Sequence, residues 1–286
     1  MPMAVVTGAS TGIGRATALR LAAGGWTVLA GVRDPAAGER LVEEAPAPGR
    51  VLALALDVTD PAQVAAAAER VDEQARQADG LSSGGLDALV NNAGIGVGGP
   101  LELVSEADLR RQFEVNVFGQ LALMRALLPA LRRARGRIAF VSSIGGRVST
   151  PFVAPYTASK HAVEALADAL RVELRTSHVQ VALIEPGAVA TPIWEKARSE
   201  LDAVTIPPEL QEQYGHVPAA ARKMIEQTAR RGVAPEVVAA TIERALTTPR
   251  MRTRYLIGVD AKMQLLLRRA LPDRLFDRVL QRAMGV

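Results

Sequence analysis

Short, continuously apolar runs alternate along this chain with longer stretches of helical period. Ala4–Thr7, Thr27–Val32, Val51–Leu56, Leu86–Val90, Ile138–Val141 and Val179–Ile184 read as strands, and Tyr255–Ile257 as a further one. Between them, Thr17–Ala23 and Ala62–Ala78 carry helical patterning. Asp60 is placed to cap the second of these, with Pro61 at its first position. Ser105 with Asp108 marks the start of another helical stretch, which runs to about Arg133. The strands are apolar throughout rather than alternating, the pattern of a sheet covered on both faces. Strand–helix alternation of this kind predicts an α/β fold, a doubly wound parallel sheet built from right-handed crossovers. Ligands on such sheets bind beyond the carboxyl ends of the strands.

Composition narrows the picture. A chain of 286 residues, 49% hydrophobic and 22% charged, has enough apolar matter for a sizeable core and is not a disordered polymer. The pattern predicts one domain over 1–258, with residues 190–232 as a variable lid and 259–286 as a helical extension. No apolar run reaches the ~18 residues of a spanning helix. The first strand begins at Ala4, leaving no room before it for a signal peptide. Cysteine is absent, so disulfides, thiolate metal sites and a cysteine nucleophile are excluded. These features predict a cytoplasmic protein. His161, His178 and His216 lack metal-ligand spacing, and no metal is expected.

The net charge is +4, but residues 250–286 hold nine Lys+Arg against three Asp+Glu, leaving the rest slightly acidic. Leu271, Leu275, Phe276, Val279 and Leu280 recur at helical spacing in this basic tail. Packing on its own domain or on a second subunit is the expected role; capping the substrate pocket or peripheral contact with a membrane surface is the alternative. No aromatic platform for stacking bases interrupts the basic residues, and no nucleic-acid partner is expected.

Two segments carry candidate chemistry. Thr7 to Gly14 reads TGASTGIG, after a strand and at the opening of a helix. Gly8 suits a tight turn at positive φ, Gly12 a close backbone approach to a pyrophosphate, and Gly14 close packing of helix on sheet. The helix N-terminus then offers N–H groups and a positive dipole end to phosphate. A structural turn uses glycines too, so the trio gains weight from its context. The second segment is Tyr156-Thr157-Ala158-Ser159-Lys160. Positions four apart share a helix face, so phenol and ammonium can face one pocket. A phenol of pKa ~10 is a poor base near neutrality, and a nearby ammonium is expected to lower it.

The glycine spacing, with three residues between the first two glycines, resembles the short-chain dehydrogenase/reductase family. Asp57-Val58, Asn91-Asn92-Ala93-Gly94, Asn116, Ser143, Tyr156 with Lys160, and Pro186-Gly187 follow in that family's order, covering residues 4 to about 195. The resemblance implies a Rossmann-type fold and a nicotinamide cofactor. It gives Tyr156 the proton transfer, Lys160 the tuning of that phenol and the cofactor ribose, and Ser143 the substrate oxygen, with Ser142 as rival. Asn116 is implied to hold a water beside the lysine. Ser10, Thr11, Ile13, Ala93 and Gly94 belong to the implied cofactor site, with Asn91 on its adenosine side and Asp57-Val58 at the adenine edge. Pro186, Gly187, Val189 and Thr191 resemble the segment shaping the nicotinamide pocket, though Pro186-Gly187 also reads as a plain turn.

Val32 stands where NAD-preferring members of the family hold an acid, and Arg33 follows it. A guanidinium suits a 2′-phosphate, which points to NADP(H) rather than NAD(H). Asp34-Pro35 reads as a helix cap and first-turn proline. In the lid, Ile193, Trp194, Ile206-Pro207-Pro208, Tyr214 and His216 suggest an apolar alcohol or carbonyl substrate, and the resemblance extends to members acting on steroids and retinoids. The family commonly forms dimers and tetramers. Two alternatives stay open: a non-catalytic dinucleotide sensor, and an epimerase or dehydratase on the same fold.

Overall fold

The computed structural model describes residues 1–77, 84–192 and 206–284. Its strands are β1 (Met3–Thr7), β2 (Thr27–Val32), β3 (Arg50–Ala55), β4 (Ala88–Asn91), β5 (Arg137–Val141), β6 (Gln180–Pro186) and β7 (Arg254–Ile257). They form one seven-stranded sheet in the order β3-β2-β1-β4-β5-β6-β7. Every neighbouring pair is parallel. The chain winds outward from β1 to β3, then crosses back to β4 and winds the other way to β7. A crevice therefore opens between the carboxyl ends of β1 and β4.

The longer helices among the described residues are α1 (Gly12–Ala23), α2 (Pro35–Glu43), α3 (Pro61–Gln77), α4 (Glu106–Phe113), α5 (Gln120–Ala134), α6 (Ala154–Glu173), α7 (Val217–Arg231), α8 (Pro235–Thr247), α9 (Val259–Ala270) and α10 (Asp273–Met284). Two apolar layers sandwich the sheet. Leu21 of α1, Leu41 of α2 and Val238 and Ile242 of α8 cover one face. Val71 of α3, Leu123 and Leu127 of α5 and Val163 of α6 cover the other. β1 is buried at all five positions, as the unbroken apolar run requires. Asp34 accepts a hydrogen bond from the Ala36 amide at 3.1 Å, Asp60 from Ala62 at 2.8 Å and Ser105 from Asp108 at 3.0 Å, so the three expected caps form.

Three boundaries differ from the pattern reading. α1 begins at Gly12, five residues before Thr17, because the poor helix formers Gly12 and Gly14 occupy its first turn. The helical stretch after Ser105 is interrupted by a π-helical turn, Glu114–Gly119, between α4 and α5. The tail is two helices, parted at Leu271-Pro272, where proline cannot continue the first. Phe276, only 6% exposed, packs with Ala261 against Ile144 and Val148, while Leu275 and Val279 remain exposed. The tail thus braces the segment that follows Ser143. Among the described residues no helix is long and apolar enough to cross a membrane.

Ile193 and Trp194 of the expected lid lie outside the described residues. The described part of the 190–232 segment is pinned at its base. Val189 bridges Val233 in parallel, with Ala190 N–H donating to the Val233 carbonyl at 3.0 Å and Val233 N–H to that of Ala188 at 2.9 Å. Ile206 and Val217 are buried, and the His216 ring meets Phe152 edge-on at 6.4 Å.

Candidate active site

A cleft of about 390 Å³ lies beyond the carboxyl ends of β1, β4, β5 and β6. Thr7 joins the two central strands beneath it. Its hydroxyl oxygen accepts from the amides of Asn92 and Ala93 at 2.9 and 2.8 Å. Asn92 Nδ2 donates to the Thr7 carbonyl at 2.9 Å. The turn that follows has Gly8 at φ +63 and Gly12 at φ +55, values that favour glycine. A methyl on Gly8 would press within 3.0 Å of Ala93 Cα, and one on Gly12 within 3.1 Å of Thr191 Cγ2. Gly8, Ser10, Thr11, Gly12 and Ile13 line the cleft. No side chain caps α1, so its first-turn N–H groups are left for a ligand.

At the far end of the cleft, β2 delivers exposed Arg33, and Asp57-Val58 follow β3. Burial opposes the Asp57 charge. Two hydrogen bonds from Thr59, at 2.9 and 2.7 Å, and the Arg33 charge nevertheless hold the carboxyl below its ordinary range. Ala93 and Gly94 form one wall, and Pro186, Gly187, Val189 and Thr191 the other. The second wall is fixed from behind. Asp260 accepts from Ala188 N–H at 2.8 Å, and Gly187 N–H donates to the Ile257 carbonyl at 2.8 Å.

Ser143, Tyr156 and Lys160 meet on the same cleft. Ser143 Oγ accepts from the Gly145 amide at 3.0 Å and donates to the Pro186 carbonyl at 3.5 Å, and its hydroxyl favours the charged form of the Tyr156 phenol. Lys160, 4% exposed, donates to the Val141 carbonyl at 2.8 Å, and its Nζ lies 5.7 Å from the Tyr156 ring centre. Burial lowers its pKa to about 8, with the Glu164 charge opposing. The expected lowering of Tyr156 does not occur in this chain alone. Burial pushes the phenol up, with the Ser143 contact pulling the other way.

Three residues expected at the site do not line the cleft. Asn91 is fully buried at the end of β4, its amide atoms without a hydrogen-bond partner; the neighbouring Asn92 reaches the cleft instead. A strand alternates its side chains between faces, so adjacent asparagines cannot both point one way. Gly14 lies behind the turn, where a methyl would fall 2.2 Å from the Gly8 carbonyl oxygen; its role is packing. Asn116 is enclosed in the π-helical turn. Its Oδ1 accepts from Ile95 N–H at 2.8 Å, and its Nδ2 donates to the Ile95 carbonyl at 3.0 Å and to Ser159 Oγ at 3.1 Å. Sequence reasoning assigned no cleft role to Gly31, Leu56, Ile95, Gly96, Val115, Val141 or Pro192, which complete the lining. They contribute backbone or apolar surface and carry no chemical signature. Ser142 lines the cleft beside Ser143, so both serines remain within it.

A family model described as short chain dehydrogenase matches residues 2–202. The chain belongs to this family, and it is an oxidoreductase of the short-chain type. It is 34% identical over 284 residues to an NADPH-dependent 3-dehydrocapnine reductase of Ornithobacterium rhinotracheale, covering 98% of this chain and 96% of that one. It is 36% identical over 283 residues to retinol dehydrogenase 5 of Mus musculus, covering 96% and 86%. Among solved structures, a short chain dehydrogenase/reductase of Burkholderia phymatum in complex with NAD superposes with a TM-score of 0.78 at 30% identity, covering 94% of this chain and 92% of that one.

Proposed function

We propose that the protein is an NADP(H)-dependent oxidoreductase that interconverts an apolar alcohol and its ketone or aldehyde. The observation that carries this reading is the convergence of Ser143, Tyr156 and Lys160 on one cleft whose other end is a glycine turn flanked by Arg33. The glycine cradle fits a dinucleotide: it leaves N–H groups open at α1, and a methyl on Gly12 would crowd it. A nicotinamide dinucleotide held by the glycine turn would supply the hydride and, when oxidised, a positive charge within the cleft.

The chain's own residues do the rest. Tyr156 Oη gives its proton to the carbonyl oxygen in reduction and takes it back in oxidation. Ser143 Oγ, which lines the same cleft, donates to the same oxygen and steadies charge developing there. Lys160 supplies a buried positive charge one helical turn from Tyr156, favouring the phenolate when the proton leaves. Asn116 ties the π-helical turn to Ile95 and to Ser159 of α6, holding the reactive face of that helix in register. The NADPH-dependent reductase among the relatives supports NADP(H), as does Arg33; the NAD complex among the structural neighbours keeps the choice open to test. The apolar substrate class draws support from the retinol dehydrogenase and from buried Ile206 and Val217 in the lid segment.

Incubation with NADPH and a panel of apolar ketones and aldehydes, followed at the reduced-nicotinamide absorbance, tests the reading. Stoichiometric consumption of NADPH with formation of the alcohol is expected. Binding without consumption would indicate a sensor, and product without net consumption an epimerase or dehydratase.

A further inference from the structure

Helix α4 fully buries one of its residues, and that residue is polar: Gln112, 0% exposed. A surface helix normally turns apolar side chains inward, so a buried glutamine needs a partner for each of its polar atoms. Each has one. Gln112 Oε1 accepts from Val97 N–H at 2.6 Å. Its Nε2 donates to the Ile95 carbonyl at 2.9 Å and to Ser159 Oγ at 3.3 Å. The first two bonds grip the backbone on either side of Gly96, as a neighbouring strand would. The third reaches α6, where Ser159 Oγ donates to the Tyr156 carbonyl at 2.7 Å. Asn116, four residues on, donates to the same two oxygens, Ile95 O at 3.0 Å and Ser159 Oγ at 3.1 Å. Ser159 Oγ thus uses its one proton and both lone pairs. The partners also fix which way the Gln112 amide points, since Val97 needs an acceptor and Ile95 a donor.

The segment held in this way is a wall of the phenol's berth. Ile95 and Gly96 line the cleft beside Tyr156, and Gln112 does not. A methyl on Gly96 would stand 3.8 Å from Tyr156 Cδ2. A methyl on Gly145 would stand 3.3 Å from Cε1, on the opposite edge of the ring. The ring therefore lies between two glycine backbones. Gly145 is fixed by its own N–H, which donates to Ser143 Oγ at 3.0 Å. Gly96 is fixed through its neighbours, Ile95 and Val97, both of which Gln112 holds. A glycine has wide backbone freedom and keeps one conformation only where its flanks are pinned. We propose that Gln112 is a positioning residue: by clamping the backbone around Gly96 and tying it to Ser159, it holds the Tyr156 ring in its reactive place. This inference rests on the reading of Tyr156 as the proton donor. A misplacement of ~1 Å at a reacting group can cost about a hundredfold in rate, so a residue outside the cleft can act on the reaction through this wall.

The test follows the ring itself. The chain has three tyrosines, so ring-¹³C-labelled tyrosine gives few resonances, and Tyr156→Phe assigns the one required. A ring confined between two backbone walls turns over slowly, so its two edges should give separate signals in the wild type. Gln112→Met keeps the length of the side chain and makes none of its hydrogen bonds. It should broaden or merge the two edge signals. It should also slow NADPH consumption in a single turnover with an apolar ketone by about tenfold or more, with the dissociation constant for NADPH within about twofold. Gln112→Glu takes the clamp apart. Its carboxylate still accepts from Val97 but cannot donate to Ile95 or Ser159, and on protonation it regains one donor. The edge signals should be disturbed at high pH and return toward the wild type as pH falls; this variant at low pH decides the matter if Gln112→Met does not fold. A glutamine with a merely structural role would lower the Tm of both variants and leave the Tyr156 edges separate at every pH. That result, or edges already averaged in the wild type, overturns the proposal. The spectrum needs neither ketone nor NADPH. Absence of ketone reduction in the wild type would therefore sink the functional reading, while the ring signals still decide what Gln112 does.

Discussion

A methyl group added at position 12 or at position 14 should fail in two different ways. At Gly14 it would fall 2.2 Å from the Gly8 carbonyl oxygen, which is backbone and cannot swing aside. Gly14→Ala is therefore expected to lower stability by at least ~1–3 kcal/mol, seen as a large drop in Tm or as insoluble protein. At Gly12 the methyl meets side chains alone, Thr191 closely and Pro192 at the edge of contact, at φ +55. Gly12→Ala is expected to fold, with a strain cost of ~1–2 kcal/mol, and to lose dinucleotide affinity by about tenfold or more in a fluorescence titration. Arg33→Ala should leave kcat/KM with NADH largely unchanged and lower it with NADPH by about tenfold or more. Equal losses with both would contradict a 2′-phosphate contact. The glycine turn, the Tyr156–Lys160 pair and Arg33 were legible because each rests on spacing that survives without coordinates. Which of the two adjacent asparagines lines the cleft was not legible, because that choice of face is left to the register of β4, which the pairing with β1 and β5 decides.

Local pattern reads a helix well only where the helix is regular. The stretch from Ser105 to Arg133 has continuous helical period, yet a π-helical turn at Glu114–Gly119 parts it. The widened turn is stabilised by contacts far away in sequence, from Asn116 to Ile95 and Ser159. No window along the chain contains them. The tail shows the complementary case. Its amphipathic spacing was visible, but its target was not, because Ile144 and Val148 lie over a hundred residues upstream of Phe276. Phe276→Ala is expected to destabilise by ~3–5 kcal/mol in denaturant unfolding. It should also reduce kcat more than it changes dinucleotide affinity, since the tail braces the Ser143 side of the cleft rather than the glycine turn.

Over the whole molecule, the sheet order fixes where every candidate group falls. Strand–helix alternation and two-sided burial made that architecture readable, because a parallel sheet leaves few topologies. Stability should carry the imprint of the site. Glu164, raised from 4.5 to about 7, binds its proton more tightly folded than unfolded, so the stabilisation it gives is full below pH 4.5 and is lost as pH rises through about 7. Lys160, lowered from 10.5 to about 8, costs stability below pH 8 and recovers it as pH rises to 10.5. The Tm of Glu164→Gln, relative to wild type, should therefore improve steadily from pH 5 to pH 8. A constant offset would contradict the raised carboxyl.

The most direct test of the account compares wild type and Tyr156→Phe in a single turnover with NADPH and an apolar ketone, alongside NADPH binding. Loss of the phenol oxygen should slow hydride consumption by about a hundredfold or more, with the dissociation constant for NADPH within about twofold. Consumption at the wild-type rate in the variant would show that the proton reaches the substrate by another route, and the assignment of Tyr156 would be wrong.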